Sequence, residues 1–135
     1  MTDELRFADA RLVSGVRLRY AEQGPRDGRA LLLLHGYSDS WFSFVRVLPL
    51  LPRGWRVIAP DQRGHGDSER PEADMYRIEE FARDGWALLD ALGVERATLA
   101  GHSMGSFVAQ RMAALAPSRT RRLALIGSAT TLRND

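Results

Sequence analysis

Short unbroken apolar runs, separated by stretches of helical period, set the pattern of this chain. Val16, Leu18 and Tyr20 alternate with Arg17 and Arg19, so residues 5–22 predict two strands around a turn at Ser14-Gly15. Residues 31–34 are all leucine, without alternation, as in a strand buried on both faces of a parallel sheet. Residues 56–59, 97–100 and 123–126 carry the same signature. Between the runs the period lengthens. Trp41, Phe44, Val45 and Leu48 predict a short helix with Ser40 as its N-cap, ended or kinked by Pro49 and Pro52. Ile78, Phe81, Ala82, Gly85, Leu89 and Leu92 share one face of a second helix, closed by Gly93 at C′. Arg77 stands where that helix needs an N-cap and cannot serve as one. Gly85 inside it predicts close packing on the sheet. A third helix runs over residues 104–116 and stops at Pro117.

Strands alternating with helices predict an α/β fold. Its sheet is mostly parallel, with about six strands, an N-terminal antiparallel hairpin and three main helices on both faces. Sites in such sheets lie beyond the carboxyl ends of the strands. Those ends are His35-Gly36-Tyr37, the loop 61–68, the stretch 101–105 and Gly127-Ser128-Ala129. All contain small residues, so they can converge on one cleft.

Composition changes this picture little. A chain of 135 residues is one domain's worth, and 44% apolar residues can fill its core. The net charge of +2 and the spread of the basic residues argue against nucleic-acid binding, since no motif or aromatic platform joins them. Arg119, Arg121 and Arg122 form the densest group and read as a solvated helix-to-strand junction. There is no cysteine, so disulfides and thiolate metal sites are excluded. The acidic N-terminus lacks the apolar segment of a signal peptide, and no apolar run is long enough to span a bilayer. The expectation is a cytoplasmic protein with no membrane partner.

The candidate chemistry centres on Gly101-His102-Ser103-Met104-Gly105, between a buried strand and a helix. That context makes G-x-S-x-G a nucleophile elbow, with Ser103 lifted clear of the sheet and the Met104 N–H turned into the same space. The alternative is a structural serine capping the helix. Gly101 and Gly105 flank the turn where a Cβ would collide with the opposite arm. A second oxyanion donor is expected from the Tyr37 N–H, after Gly36; otherwise Tyr37 only lines the pocket. His35, His65 and His102 are the candidates for a general base, and none is well placed for it. Asp61 and Arg63 read as a salt-bridged or backbone-capping loop supporting the His35-Gly36 turn. No spacing of His, Asp and Glu predicts a metal site, and no cofactor is expected.

Taken together, residues 33–37, 57–68 and 101–105 resemble the α/β-hydrolase fold superfamily in sequence, order and separation. The resemblance implies Ser103 as nucleophile, the Tyr37 and Met104 amides as oxyanion hole, and His35, Gly36, Gly101, His102 and Gly105 as support. It also implies a small-molecule substrate and a triad in the order Ser, acid, His. Asp135 is the sole acid after residues 123–126, so the chain resembles the N-terminal half of such a hydrolase, inactive alone. A non-catalytic ligand-binding module and an inert gene fragment of the same fold are the alternatives. Serine at position 103 argues against dehalogenase-like and epoxide-hydrolase-like members, which attack with a carboxylate. Ser106 replaces a glycine found in many relatives. The exposed edge at residues 123–126 predicts self-association.

Overall fold

The computed structural model describes residues 4–127; Ser128, Ala129, Asp135 and the first three residues lie outside the described residues. Six strands form one sheet: β1 (Arg6–Arg11), β2 (Arg17–Gln23), β3 (Arg29–Leu34), β4 (Trp55–Pro60), β5 (Ala97–His102) and β6 (Thr120–Ile126). Their order is β1-β2-β4-β3-β5-β6. The hairpin β1-β2 pairs antiparallel and joins β4 antiparallel; β4, β3, β5 and β6 run parallel. Two α-helices follow the predicted stretches, α1 (Ile78–Ala91) and α2 (Met104–Leu115).

The period of two sorts the strand residues onto two faces. Leu32, Leu34, Ile58 and Leu99 pack with Phe81, Leu88 and Leu89 of α1 and with Val108 and Met112 of α2. Leu31, Leu33, Val57, Ala59 and Ala100 point the other way, against Phe44 and Leu48. The predicted first helix is corrected here. Residues 41–50 make two 3₁₀ turns, Trp41–Phe44 and Leu48–Leu50, instead of one continuous helix. Pro49 has no N–H to extend a helical ladder, and Ser40 caps the first turn by accepting from the Phe42 amide. Both α-helices therefore lie on one face, and among the described residues these turns cover the other.

Other departures are local. α1 starts after an extended, uncapped Arg77, and Glu79 and Glu80 in its first turn complement the helix dipole. Gly85 admits the Met112 side chain of α2, so its close neighbour is a helix and not the sheet. Arg121 and Arg122 belong to β6, because that strand begins at Thr120.

The topology places the site. From β3 the chain crosses to β4 over one face and returns from β4 to β5 through α1 on the other. The carboxyl ends of β3 and β5 therefore border the crevice where the crossovers part.

Candidate active site

β5 ends at His102 and α2 begins at Met104, so Ser103 alone reverses the chain. Its φ of 54° and ψ of −119° lie where L-residues store about 1–3 kcal/mol of strain. Neighbours hold it there. The Ser103 amide donates to the Ile126 carbonyl at 3.0 Å, and the Ser106 hydroxyl donates to the Ser103 carbonyl at 2.5 Å. Ser106 is thus a fastener of the turn and fully buried. A Cβ on Gly101 would overlap the Gly105 carbonyl, and one on Gly105 would overlap the Leu34 carbonyl. The Ser103 side chain makes no capping bond to α2, which sets aside the helix-cap alternative.

The β3–β5 register pairs Leu34 with Gly101, so Gly36 arrives beside Ser103. A Cβ there would lie 3.2 Å from Ser103 Cβ and 3.5 Å from the His102 carbonyl. The Tyr37 and Met104 amides donate no hydrogen bond among the described residues. Both amides remain free, and Tyr37 is 77% exposed.

The three histidines have separate surroundings. His35 is fully buried; its Nε2 accepts from the Gln62 amide at 2.9 Å and its Nδ1 donates to the Gly36 carbonyl at 2.8 Å. Those partners select the Nδ1–H tautomer. Gln62 Nε2 adds a bond to the His35 carbonyl at 2.8 Å, so the strand end is clamped twice. His65 Nδ1 lies 2.9 Å from the Arg63 carbonyl, and its ring packs edge-on to Tyr37 at 5.8 Å. His102 lines the opposite sheet face with Leu33 and Phe44. None of the three hydrogen-bonds the Ser103 hydroxyl.

Burial holds His35 below the ordinary histidine range, against the opposing pull of its bond to Gly36. The fold binds the neutral ring, and the unfolded chain takes up the proton first as pH falls. This contribution to stability is complete above about pH 6.5 and is lost below it, toward the lowered folded value, by at most about 1.4 kcal/mol per pH unit. Urea melts at pH 7.5 and 6.0 will show the loss, and His35→Gln will remove the slope.

Asp61 and Arg63 make the backbone-capping and salt-bridged contacts read for their loop, and the structure supplies the partners. Arg63 forms a buried two-pronged pair with Asp84 of α1, at 2.7 and 2.8 Å, and donates to the Met75 carbonyl. The hydrogen bonds to Asp84 hold the Arg63 guanidinium above its ordinary value. Asp61 takes the backbone-capping alternative: its carboxylate accepts from the Trp41 and Asp67 amides at 2.9 and 3.0 Å. Asp84 was masked in the sequence by its place in a charged stretch of helix. Gln62 was masked by its more reactive neighbours.

A cavity of about 460 Å³ opens beside the elbow, lined among others by Tyr37, His65, Arg70, Tyr76, Phe81 and Met104. Tyr76, Phe81 and Arg70 were not legible as pocket residues. Tyr76, the aromatic residue of the stretch 70–77, was the available signal. Among the described residues no group of His, Asp and Glu converges as a metal site. Among the described residues the arrangement offers an unpartnered hydroxyl, two free amides and an adjoining cavity with Tyr37, Tyr76 and Phe81 in its lining.

Known proteins share this architecture. A family model described as "alpha/beta hydrolase fold" matches residues 29–135. The chain is 37% identical over 115 residues to AB hydrolase superfamily protein YfhM of Bacillus subtilis (strain 168), covering 84% of this chain and 40% of that protein. It is 37% identical over 121 residues to 2-hydroxymuconate semialdehyde hydrolase of Pseudomonas sp. (strain CF600), covering 87% and 42%. Among solved structures, epoxide hydrolase VrEH1 from Vigna radiata superposes with a TM-score of 0.88 at 32% identity, covering 97% of this chain and 42% of that one. The chain thus spans about two-fifths of the length of these relatives.

Proposed function

The chain belongs to the alpha/beta hydrolase fold family, and from that premise we propose that it is the N-terminal, nucleophile-bearing part of a single-domain serine hydrolase. Its substrate class is a carboxylic ester or related acyl compound. One observation carries this reading: a strained, uncapped Ser103 beside Gly36, with the Tyr37 and Met104 amides unpartnered. In the proposed reaction Ser103 Oγ attacks the carbonyl carbon, and the π electrons move onto the oxygen. The Tyr37 and Met104 N–H groups stabilise that oxyanion, and Gly36, Gly101 and Gly105 permit the approach. Collapse expels the alcohol, which takes the proton that the base removed from Ser103. Water then resolves the acyl-enzyme.

The base and its orienting acid are assigned to the part of the fold that the relatives have beyond this match. His35 is committed to Gln62 and Gly36, and His102 faces the other side of the sheet. Some of the matched proteins are epoxide hydrolases by name. Serine in place of a carboxylate at position 103 favours acyl chemistry here.

The competing reading is a ligand-binding module of the same fold, favoured by the absence of any histidine bonded to Ser103 among the described residues. A fluorophosphonate probe separates the two. A longer chain that supplies the acid and histidine will label at Ser103, and the 135-residue chain will label about 10²–10⁴-fold more slowly. Failure of both to label favours the binding module. Equal rates remove the need for a further base.

We also propose that the protein acts in the cytoplasm; no helix among the described residues is long and apolar enough to cross a membrane. The expected partners are small molecules, without nucleic acid. Self-association of the 135-residue chain is proposed from β6, whose Leu123, Leu125 and Ile126 are exposed at the sheet edge. Light scattering will show dimers or larger species at micromolar concentration; a monodisperse monomer refutes it.

A further inference from the structure

We propose that the amino-terminal ends of the parallel strands hold a binding site for a phosphate group. Arg26 precedes β3, Arg29 opens it, Arg56 is the second residue of β4, Arg96 precedes β5, and Arg121 is the second residue of β6. All five line one cavity of about 370 Å³, with Asp27 and Glu95. Apart from Arg26 and Arg29, these arginines lie far apart in the chain, and parallel registration brings them together; Ala30 sits opposite Arg56, and Ala97 opposite Thr120.

All 19 basic residues of this protein are arginine, so residue type does not mark the cavity. Partnering does. Arg6, Arg17, Arg19, Arg63, Arg77, Arg83, Arg111 and Arg119 each pair with a carboxylate. The side chains of Arg26, Arg96 and Arg121 make no hydrogen bond or ion pair among the described residues, although Asp27 and Glu95 line the same cavity. Arg29 is held differently, its guanidinium 5.6 Å from the centre of the Trp55 ring.

Arg56 supplies the second, independent observation. Its side chain is 9% exposed, and it donates from Nε to Glu22 at 2.8 Å. Its Nη1 donates to the Arg26 and Leu92 carbonyls. Its Nη2 has no partner among the described residues, and the residue lines the cavity. A guanidinium anchored on three sides, with its remaining arm open to solvent in a cavity shared with unpaired guanidinium groups, fits the oxygens of a phosphate. Charge agrees. With Arg56 neutralised by Glu22 and two carboxylates in the lining, two positive charges remain in excess, matching a phosphate dianion. The cavity exceeds a bare phosphate in volume, so a small phosphate ester fits the same group.

The site is separate from Ser103. β5 runs from Ala97 to His102, placing the two ends about 20 Å apart. The inference therefore stands apart from the nucleophile reading.

The test is thermal unfolding of the 135-residue chain at pH 7.5, titrated with inorganic phosphate, glycerol phosphate or sodium chloride at matched ionic strength. Phosphorus NMR line broadening gives a readout independent of melting. Saturable stabilisation by either phosphate species, absent with chloride, is expected. A lower apparent Kd for glycerol phosphate assigns the site to an ester, and equal values assign it to the free anion. The exposed double substitution Arg96→Ser/Arg121→Ser should weaken binding at least about tenfold while the unliganded midpoint holds. Arg46→Ser/Arg53→Ser, also exposed, should change nothing. Stabilisation by chloride to the same extent, no binding of either phosphate, or unchanged binding in Arg96→Ser/Arg121→Ser overturns the proposal.

Discussion

On the proposed reading, Ser103→Ala is expected to lower kcat/KM for an activated ester by about 10⁵-fold in a longer chain that supplies an acid and a histidine, equivalent to about 7 kcal/mol of transition-state stabilisation. The size of the effect follows from what the hydroxyl alone supplies. The Tyr37 and Met104 amides remain after the substitution and still favour an oxyanion, so a residual rate above water is expected. Covalent capture of the acyl group has no substitute. Alanine adopts the φ of 54° at Ser103 about as readily as serine, and no side-chain hydrogen bond of Ser103 is lost to the fold. Circular dichroism and the urea midpoint should therefore stay near those of the parent, separating lost chemistry from lost structure. Residual activity within tenfold of the parent would remove Ser103 from the mechanism.

Gly105→Ala is expected to destabilise the fold by about 4 kcal/mol or more, well above an ordinary substitution. The added Cβ would overlap the Leu34 carbonyl and crowd the His35 carbonyl, both backbone atoms at the end of a central strand. No rotamer change relieves that contact. Either α2 moves off β3 or the turn at Ser103 opens, and both separate the Met104 amide from the Tyr37 loop. Gly15→Ala provides the comparison. Its φ of 96° is foreign to alanine, a strain that Gly105 within α2 does not carry, and no atom lies within 4 Å of the new Cβ. That substitution should cost about 1–2 kcal/mol, the backbone strain alone. Equal urea midpoints for the two variants would show that the elbow tolerates the extra carbon.

The opened turn would act first on the strand ends that form the candidate site. His35 is held by Gln62 on one side, and the Tyr37 loop rests on His65, whose carbonyl partner belongs to the Asp84-bound Arg63. The candidate oxyanion donors thus depend on the 61–68 loop, although among the described residues none of that loop hydrogen-bonds Ser103.

Local chemistry was sufficient wherever a property depends on near neighbours in the chain. Alternation along residues 16–20 and the unbroken leucines at 31–34 determined which strands are half-buried and which lie in the centre. Pro117 and Gly93 determined where the helices stop, and Gly101 and Gly105 marked the sharp turn around Ser103. The same reasoning failed at residues 41–50, where helical spacing promised a continuous helix. Pro49 has no N–H to carry a helical ladder through the stretch, and the chain there makes two 3₁₀ turns.

Nothing in a one-dimensional pattern states the strand order, and the strand order decided the rest. Placing β3 between β4 and β5 set Gly36 against Ser103 and kept His102 on the far face. It also joined Arg63 to Asp84 and gathered five arginines at the opposite end of the sheet. Each is a contact between segments tens of residues apart, brought together by crossover handedness and register. The sequence by itself determined the elbow and its serine. Only the tertiary structure decided what stands beside it, because side chains converge through packing that no local period encodes.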